Sequence, residues 1–180
     1  MDFKNKTAVV TGASSGLGVE HARELAKRGA NLVLVARSKD ALDALAKQLT
    51  AAHGVVVNAI ALDLSSPTSG AKLMSELKKL KVETDILINN AGFGTSGRFA
   101  QEDREQVKDE ITLNVLTLVD LTQAVLPAML KRDSGAIVNI ASTAAYQPVP
   151  GMAVYAATKA FVLSFTSAVW GETKNTGVRV

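Results

Sequence analysis

TGASSGLG, from Thr11 to Gly18, joins an apolar run to a stretch with helical spacing. Thr7 to Val10 (TAVV) reads as a buried strand, and VEHARELAKRG after Gly18 reads as a helix. Gly12, Gly16 and Gly18 fall in the turn between them. A residue without a β-carbon takes positive φ there and lets a ligand approach the backbone. With Ser14, Ser15 and Leu17, the loop puts free amides at a helix start, the end of the dipole that favours an anion such as a pyrophosphate. The spacing is Gly-x3-Gly-x-Gly, not the Gly-x-Gly-x-x-Gly of the commoner dinucleotide fingerprint. Taken alone, the loop could also be a plain glycine-rich βα turn.

Outward from the loop, apolar runs alternate with amphipathic stretches. Strands are expected at Asn31 to Ala36, Val55 to Leu62, Asp85 to Asn89 and Ala136 to Ala141, with a sixth beginning at Val178. Helices are expected at Lys39 to His53, Ser66 to Leu80, Glu102 to Lys131 and Met152 to Thr173. This order predicts an α/β fold, a doubly wound parallel sheet with helices on both faces, as one domain over residues 1–180. Apolar residues make up 47% of the chain and aromatics 4%, so the core is aliphatic, as buried parallel strands require. Without cysteine there is no disulfide framework and no thiolate site, and with His21 and His53 as the only histidines no metal is expected. His21, inside VEHAREL, reads as a partly buried structural histidine. The net charge of +3 is scattered among acids, which argues against a nucleic-acid partner. Met1 to Lys6 is polar and runs straight into the first strand, leaving no room for a signal peptide. No apolar run is read as approaching membrane-spanning length, so a cytoplasmic protein without a membrane partner is expected.

In such a sheet, ligands gather at the carboxyl ends of the strands. The polar residues expected there are the glycine loop, Arg37-Ser38, Asp63-Leu64, Asn89-Asn90-Ala91-Gly92 and Ser142, which together outline a dinucleotide site. An acidic residue after the second strand would hold the ribose 2′-hydroxyl of NAD. Ala36 stands there, and the guanidinium that follows suits a 2′-phosphate through paired charge-assisted bonds. NADP(H) is the expected cofactor, with NAD(H) left open, and an Arg37 solvated at a helix start is the alternative. YAATK puts Tyr155 and Lys159 on one helical face at i and i+4. A free phenol titrates near ~10 and is a poor acid–base group at neutral pH. An ammonium about 5 Å away, at an effective dielectric of ~20, favours a phenolate by roughly 3 kcal/mol. Ser142 could hydrogen-bond a substrate carbonyl beside the phenol. By itself a Tyr-x3-Lys pair is an ordinary surface pair; joined to Ser142 and the glycine loop it outlines an acid–base site.

TGASSGLG, NNAG, Ser142 and YAATK, in this order and spacing, resemble the short-chain dehydrogenase/reductase family over nearly the whole chain. The resemblance implies a Rossmann-like sheet and NAD(P)-dependent hydride transfer to or from a carbonyl or alcohol. It makes Tyr155 the acid or base and Ser142 the carbonyl orienter, with Lys159 supporting the phenolate and binding the nicotinamide ribose. Asn114, within ITLNVLTLV, matches the family's fourth catalytic residue, which holds a water-mediated proton relay to the lysine. From the residues alone, Asn114 is equally a satisfied core amide. Asp63 matches the position that bonds the adenine and Asn90 the one that props the strand beside the cofactor; Leu64, Ala91 and Gly92 join the cofactor-binding set as their neighbours. Family members continue with further strands and a substrate-covering segment, so the C-terminal strands are expected to be absent here, and a homodimer or homotetramer is expected.

Phe93, Ala144, Val149 and Met152 could line an apolar pocket for a hydrophobic ketone, alcohol or acyl thioester, each being equally open to a core role. Tyr146, without a lysine at i+4, would line it too. Two other functions fit parts of the sequence. Gly12-Ala13-Ser14-Ser15-Gly16 matches the Gly-x-Ser-x-Gly of a hydrolase elbow. That chemistry needs an acid and then a histidine later in the chain, and only His53, at the end of the second helix, follows. A cofactor-binding or dimerising module with little catalytic activity would keep the nucleotide motifs alone.

Overall fold

The computed structural model describes residues 3–180, so Met1 and Asp2 of the polar lead-in lie outside the described residues. The strands are β1 (Thr7–Thr11), β2 (Asn31–Ala36), β3 (Val57–Ala61), β4 (Ile86–Asn89), β5 (Gly135–Asn139) and β6 (Val178–Arg179). They pair in parallel in the order β3-β2-β1-β4-β5-β6. Between them run α1 (Gly16–Lys27), α2 (Lys39–His53), α3 (Ser69–Lys79), α4 (Arg104–Ile111), a π-helical turn (Thr112–Thr117), α5 (Leu118–Lys131) and α6 (Ala153–Thr173). The doubly wound α/β architecture is the one the alternation predicts.

Successive residues of a strand point to opposite faces, and here both faces are covered. Ala8, Val10, Leu32, Leu34, Ile86 and Ile88 pack with Ala22 and Leu25 of α1 and Leu42, Leu45 and Leu49 of α2. Val9, Val33, Val35, Leu87 and Ile137 pack on the other side with Leu73 and Leu77 of α3 and Leu121, Val125 and Met129 of α5. Burial on both faces is why the strands read as unbroken apolar runs. From β1 the chain winds outward to β2 and β3, then returns to β4 on the other flank of β1. The loops after β1 and β4 therefore lead to opposite sides and leave a crevice between them.

Several boundaries differ from the expected ones. α3 begins at Ser69, not Ser66, because the preceding residues are spent on local turns: Asp63 holds Ser65, and the Ser66 and Thr68 hydroxyls lie 3.3 Å apart. β5 ends at Asn139, so Ser142 lies beyond the strand. Short 3-10 turns at Phe99–Gln101 and Thr143–Tyr146 interrupt stretches without periodicity. The long helix after the Gly92 loop follows one path but widens into the π turn, a form of helix that gathers at functional positions. Contrary to expectation, Arg104–Lys131 and Ala153–Thr173 are long and apolar enough to cross a membrane by length and composition, each holding an 18-residue stretch with a mean hydropathy of 1.5 and 1.2 respectively. Each also lays core residues against the fold: Leu121, Val125 and Met129 from the first, Ala156, Val162 and Val169 from the second.

Candidate active site

The loop from β1 to α1 turns through Gly12 (φ 66°) and Gly16 (φ 55°), both in the left-handed region that glycine takes without strain. A β-carbon on Gly12 would stand 2.8 Å from Asn90 Nδ2 and 2.9 Å from Ala91 Cα. One on Gly18 would strike the Gly12 carbonyl and come within 2.7 Å of Asn90 Nδ2. These two glycines let the loop lie against the segment that leaves β4, whereas Gly16 serves the turn itself. Thr11 and Asn90 fasten the two together. Thr11 Oγ1 accepts the amides of Asn90 and Ala91, both at 3.0 Å, and donates to the Ile88 carbonyl at 3.2 Å. Asn90 Nδ2 donates to the carbonyls of Thr11 (2.9 Å) and Gly12 (3.3 Å). So held from behind, the loop turns Ser14, Ser15 and Leu17 toward a cavity of about 1190 Å³. α1 opens beside it with no acidic residue in its first turn and no side-chain cap from Ser15. Its first amides are left to a ligand, a geometry that suits an anion.

The same cavity collects most of the residues predicted for it: Gly12, Arg37, Asp63, Leu64, Asn90, Ala91, Gly92, Ser142, Tyr155 and Lys159. Arg37 is exposed. The Asp63 carboxylate accepts the Ser65 amide (2.9 Å) and hydroxyl (2.7 Å), and these bonds, with a lesser push from Arg37, hold it below the usual carboxylate range. At the other end, α6 carries Tyr155 and Lys159 on one face, with Lys159 Nζ 5.8 Å from the Tyr155 ring centroid. Lys159 is 5% exposed and donates to the Ile140 carbonyl at 2.7 Å. Burial of the ammonium pushes its pKa below the ordinary lysine value. Ser142 accepts the Ala144 amide at 3.2 Å, which leaves its hydroxyl hydrogen free to be donated elsewhere.

Three predicted residues stand apart from the cavity wall. Gly16 and Gly18 shape the loop without lining the cavity. Asn114 is 1% exposed, and its amide is spent on Phe93 N (3.2 Å), Phe93 O (2.8 Å) and Thr158 Oγ1 (3.1 Å). It lies behind the wall with its amide hydrogen-bonded, and a β-carbon on Gly92 would stand 2.8 Å from its Oδ1 and 3.5 Å from Lys159 Nζ. On the substrate side, Phe93 and Met152 line the cavity, whereas Ala144 and Val149 do not. Tyr146 is 77% exposed and outside it, because the 3-10 turn after Ser142 carries the ring into solvent. His21 is half-buried, with Nε2 enclosed and away from the cavity. Gln106, Asp109 and Leu113 were not anticipated; they line the cavity from α4 and the π turn. Their spacing is one stripe of the predicted helix, a signal that marks a shared face but not what the face looks upon.

Residues 6–180 match the short chain dehydrogenase family. The chain belongs to that family. It is 38% identical over 177 residues to a very-long-chain 3-oxoacyl-CoA reductase of Bos taurus, a match covering 96% of this chain and 56% of the relative. The chain thus spans a little over half the length of that curated relative. A short-chain dehydrogenase from Sphingobium yanoikuyae in complex with NADPH superposes with a TM-score of 0.90 at 43% identity, covering 96% of this chain and 67% of that one. The bulky-bulky ketone specific alcohol dehydrogenase of Comamonas testosteroni gives 0.90 at 38% identity, covering 96% and 69%.

The buried Lys159 generates a test in the alkaline range. Its folded-state pKa lies below the ordinary 10.5, so its desolvation penalty is fully present below the folded value and is lost as pH rises toward 10.5. The wild type should therefore gain stability relative to Lys159→Met as pH is raised through that window, as urea unfolding of both proteins would measure. A difference that stays constant up to 10.5 would show that burial does not perturb the ammonium.

Proposed function

We propose that the protein is an NADP(H)-preferring oxidoreductase that transfers a hydride between the nicotinamide and a hydrophobic carbonyl or alcohol substrate. The observation that carries this reading is a single cavity shared by the uncapped start of α1, the Arg37 guanidinium and the Ser142, Tyr155 and Lys159 side chains. The residues fit the dinucleotide along its length. The glycine loop and the first amides of α1 would take the pyrophosphate, Arg37 the 2′-phosphate and Asp63 the adenine, with Tyr155 and Lys159 on the nicotinamide ribose. The NADPH seen in the Sphingobium yanoikuyae relative supports the same choice. When bound, the dinucleotide supplies or takes up the hydride.

The chain's own residues handle the proton. In the reductive direction the Tyr155 hydroxyl would give its proton to the substrate oxygen, and in the oxidative direction it would take one back. Ser142, with its hydroxyl hydrogen uncommitted, orients that oxygen. Lys159 is fixed by the Ile140 carbonyl and keeps donors for the ribose. Asn114 Oδ1, on the same side of Gly92 as the ammonium, would support a water-mediated relay to it. Phe93, Leu113 and Met152 give the substrate end an apolar wall, which favours bulky apolar substrates; the 3-oxoacyl thioester and bulky-ketone activities named for the relatives support that class.

The same reading makes the protein a homodimer or homotetramer. Ile111, Leu116 and Leu130 on the α4–α5 path and Phe161 and Trp170 on α6 are each 40% or more exposed. Exposed apolar side chains of that size on these helices suit contact with a second copy.

Three measurements test this reading. Arg37→Ala should weaken NADPH at least about tenfold and leave NADH nearly unchanged in a fluorescence titration, the loss of one charge-assisted contact of roughly 1.5–3 kcal/mol. An unchanged NADPH/NADH ratio would make Arg37 a solvated surface residue. In a steady-state ketone reduction assay, Tyr155→Phe should abolish turnover with NADPH affinity retained, since only the hydroxyl is lost; substantial activity would move the proton role elsewhere. Light scattering should report a dimer or tetramer that Leu116→Glu shifts toward monomer, and a monomeric wild type would remove the association.

A further inference from the structure

Between β4 and α4, the loop Phe93 to Gly97 forms the wall against which the Tyr155 ring lies. At Gly94 a β-carbon would stand 2.7 Å from Tyr155 Cδ2 and 2.9 Å from its Cγ. The place of the phenol therefore depends on where this loop is held. Two side chains one helical turn apart hold it, one on each side of Gly94. Asn114 brackets Phe93 through both its amide and its carbonyl, at 3.2 and 2.8 Å. Glu110, on α4, accepts the Thr95 amide at 2.9 Å and the Thr95 hydroxyl at 2.7 Å, both at Oε2.

Glu110 is an unusual choice for its position. It is 0% exposed, and its second oxygen is enclosed without a hydrogen-bond partner. A buried carboxylate with an unused oxygen works against folding, and a leucine or methionine would fill the same volume without that cost. A second carboxylate converges on the same hydroxyl: Glu102 Oε2 lies 3.2 Å from Thr95 Oγ1, and its Oε1 is likewise enclosed without a partner. Thr95 has one hydroxyl hydrogen, so it can serve only one of the two acids at a time. The Thr95 amide is held by Glu110 alone of the two. What Glu110 accomplishes is local. It pins the far side of Gly94 as Asn114 pins the near side, and so presses the loop backbone on the Tyr155 ring.

We propose that Glu110 is a positioning residue for Tyr155, acting through Thr95 and the Gly94 backbone; the proposal rests on the proton-transfer role given to Tyr155 above. An error of about 1 Å in a reacting group can cost ~100-fold in rate, so a loosened loop should show in turnover before it shows in cofactor binding. Glu110→Ala removes the acceptor, Thr95→Val removes the hydroxyl without emptying the site, and Glu110→Gln keeps an acceptor oxygen in place. Three readouts are taken: kcat with a bulky apolar ketone, NADPH affinity, and the ¹³Cζ signal of Tyr155 in a Tyr146→Phe background, where Tyr155 is the one tyrosine left.

Glu110→Ala and Thr95→Val should each lower kcat at least about tenfold, keep NADPH affinity within about twofold, and shift or broaden the Tyr155 signal; Glu110→Gln should restore kcat to within about threefold. Wild-type kcat with an unmoved Tyr155 signal in either folded variant overturns the proposal. So does a loss of turnover matched by an equal loss of NADPH affinity, which would mean general disruption. If Glu110→Ala does not fold, Thr95→Val decides. A wild type that binds no NADPH and reduces no carbonyl would sink the oxidoreductase reading, while the Tyr155 signal would still decide whether Glu110 places that ring.

Discussion

The Thr11 hydroxyl stands where β1 and β4 part, and the shape of the site depends on it. At a switch point the two strands send their chains in opposite directions, so the amides just past β4 lose the ladder partners they would otherwise have. A buried amide left without an acceptor costs about 1–3 kcal/mol. Here one oxygen accepts both, from Ala91 and from Asn90, whose amide also reaches the Ile88 carbonyl at 3.0 Å, and returns its own hydrogen to Ile88. The two loops are thereby drawn so close that side chains at Gly12 and Gly18 would collide with the Asn90–Ala91 segment or with the loop itself. The glycine loop is therefore shaped as much by the protein behind it as by the ligand expected in front.

A second network ties the acid–base end of the cavity to the sheet. Asn89, buried at the end of β4, donates to Thr122 of α5 at 3.1 Å and to Asn139 of β5 at 2.9 Å, and Asn139 donates to Thr166 of α6 at 3.0 Å. These amides join two strands and two helices directly under the site. Where β5 stops, the Ile140 carbonyl is free to accept from Lys159, so the end of the strand is also the seat of the buried cation. Rigid support of this kind lets a helix carry Tyr155 and Lys159 at a fixed distance from the sheet edge.

Much of this was legible in the residues. β2 and α2 have the bounds that their patterns predict, because β2 ends in a polar pair and α2 closes on Gly54, whose left-handed backbone (φ 68°) is a favoured stop. The start of α3 and the end of β5 differ from their apolar patterns because hydroxyls and a carboxylate near them close local turns that apolar periodicity does not register. Tyr146 illustrates the same limit. Its distance along the chain from Ser142 is short, yet the 3-10 turn faces it outward, and a sequence pattern contains no direction for an irregular turn. The membrane-length character of Arg104–Lys131 is not visible as an apolar run, because polar residues break the run locally while one 18-residue stretch keeps a high mean hydropathy.

The sequence by itself determined the alternation of strands and helices, the glycine turn at the mouth of α1, and the shared face of Tyr155 and Lys159. All of these follow from backbone geometry over a few neighbouring residues, where spacing is enough. Only the tertiary structure decided that Thr11 serves Asn90 and Ala91, that Asn114 turns its amide to Phe93 and Thr158, and that Glu110 reaches Thr95. Each of these joins a polar side chain to a partner on another element. Which donor meets which acceptor is set by how the elements pack, and a buried polar group takes the partner that packing brings to it.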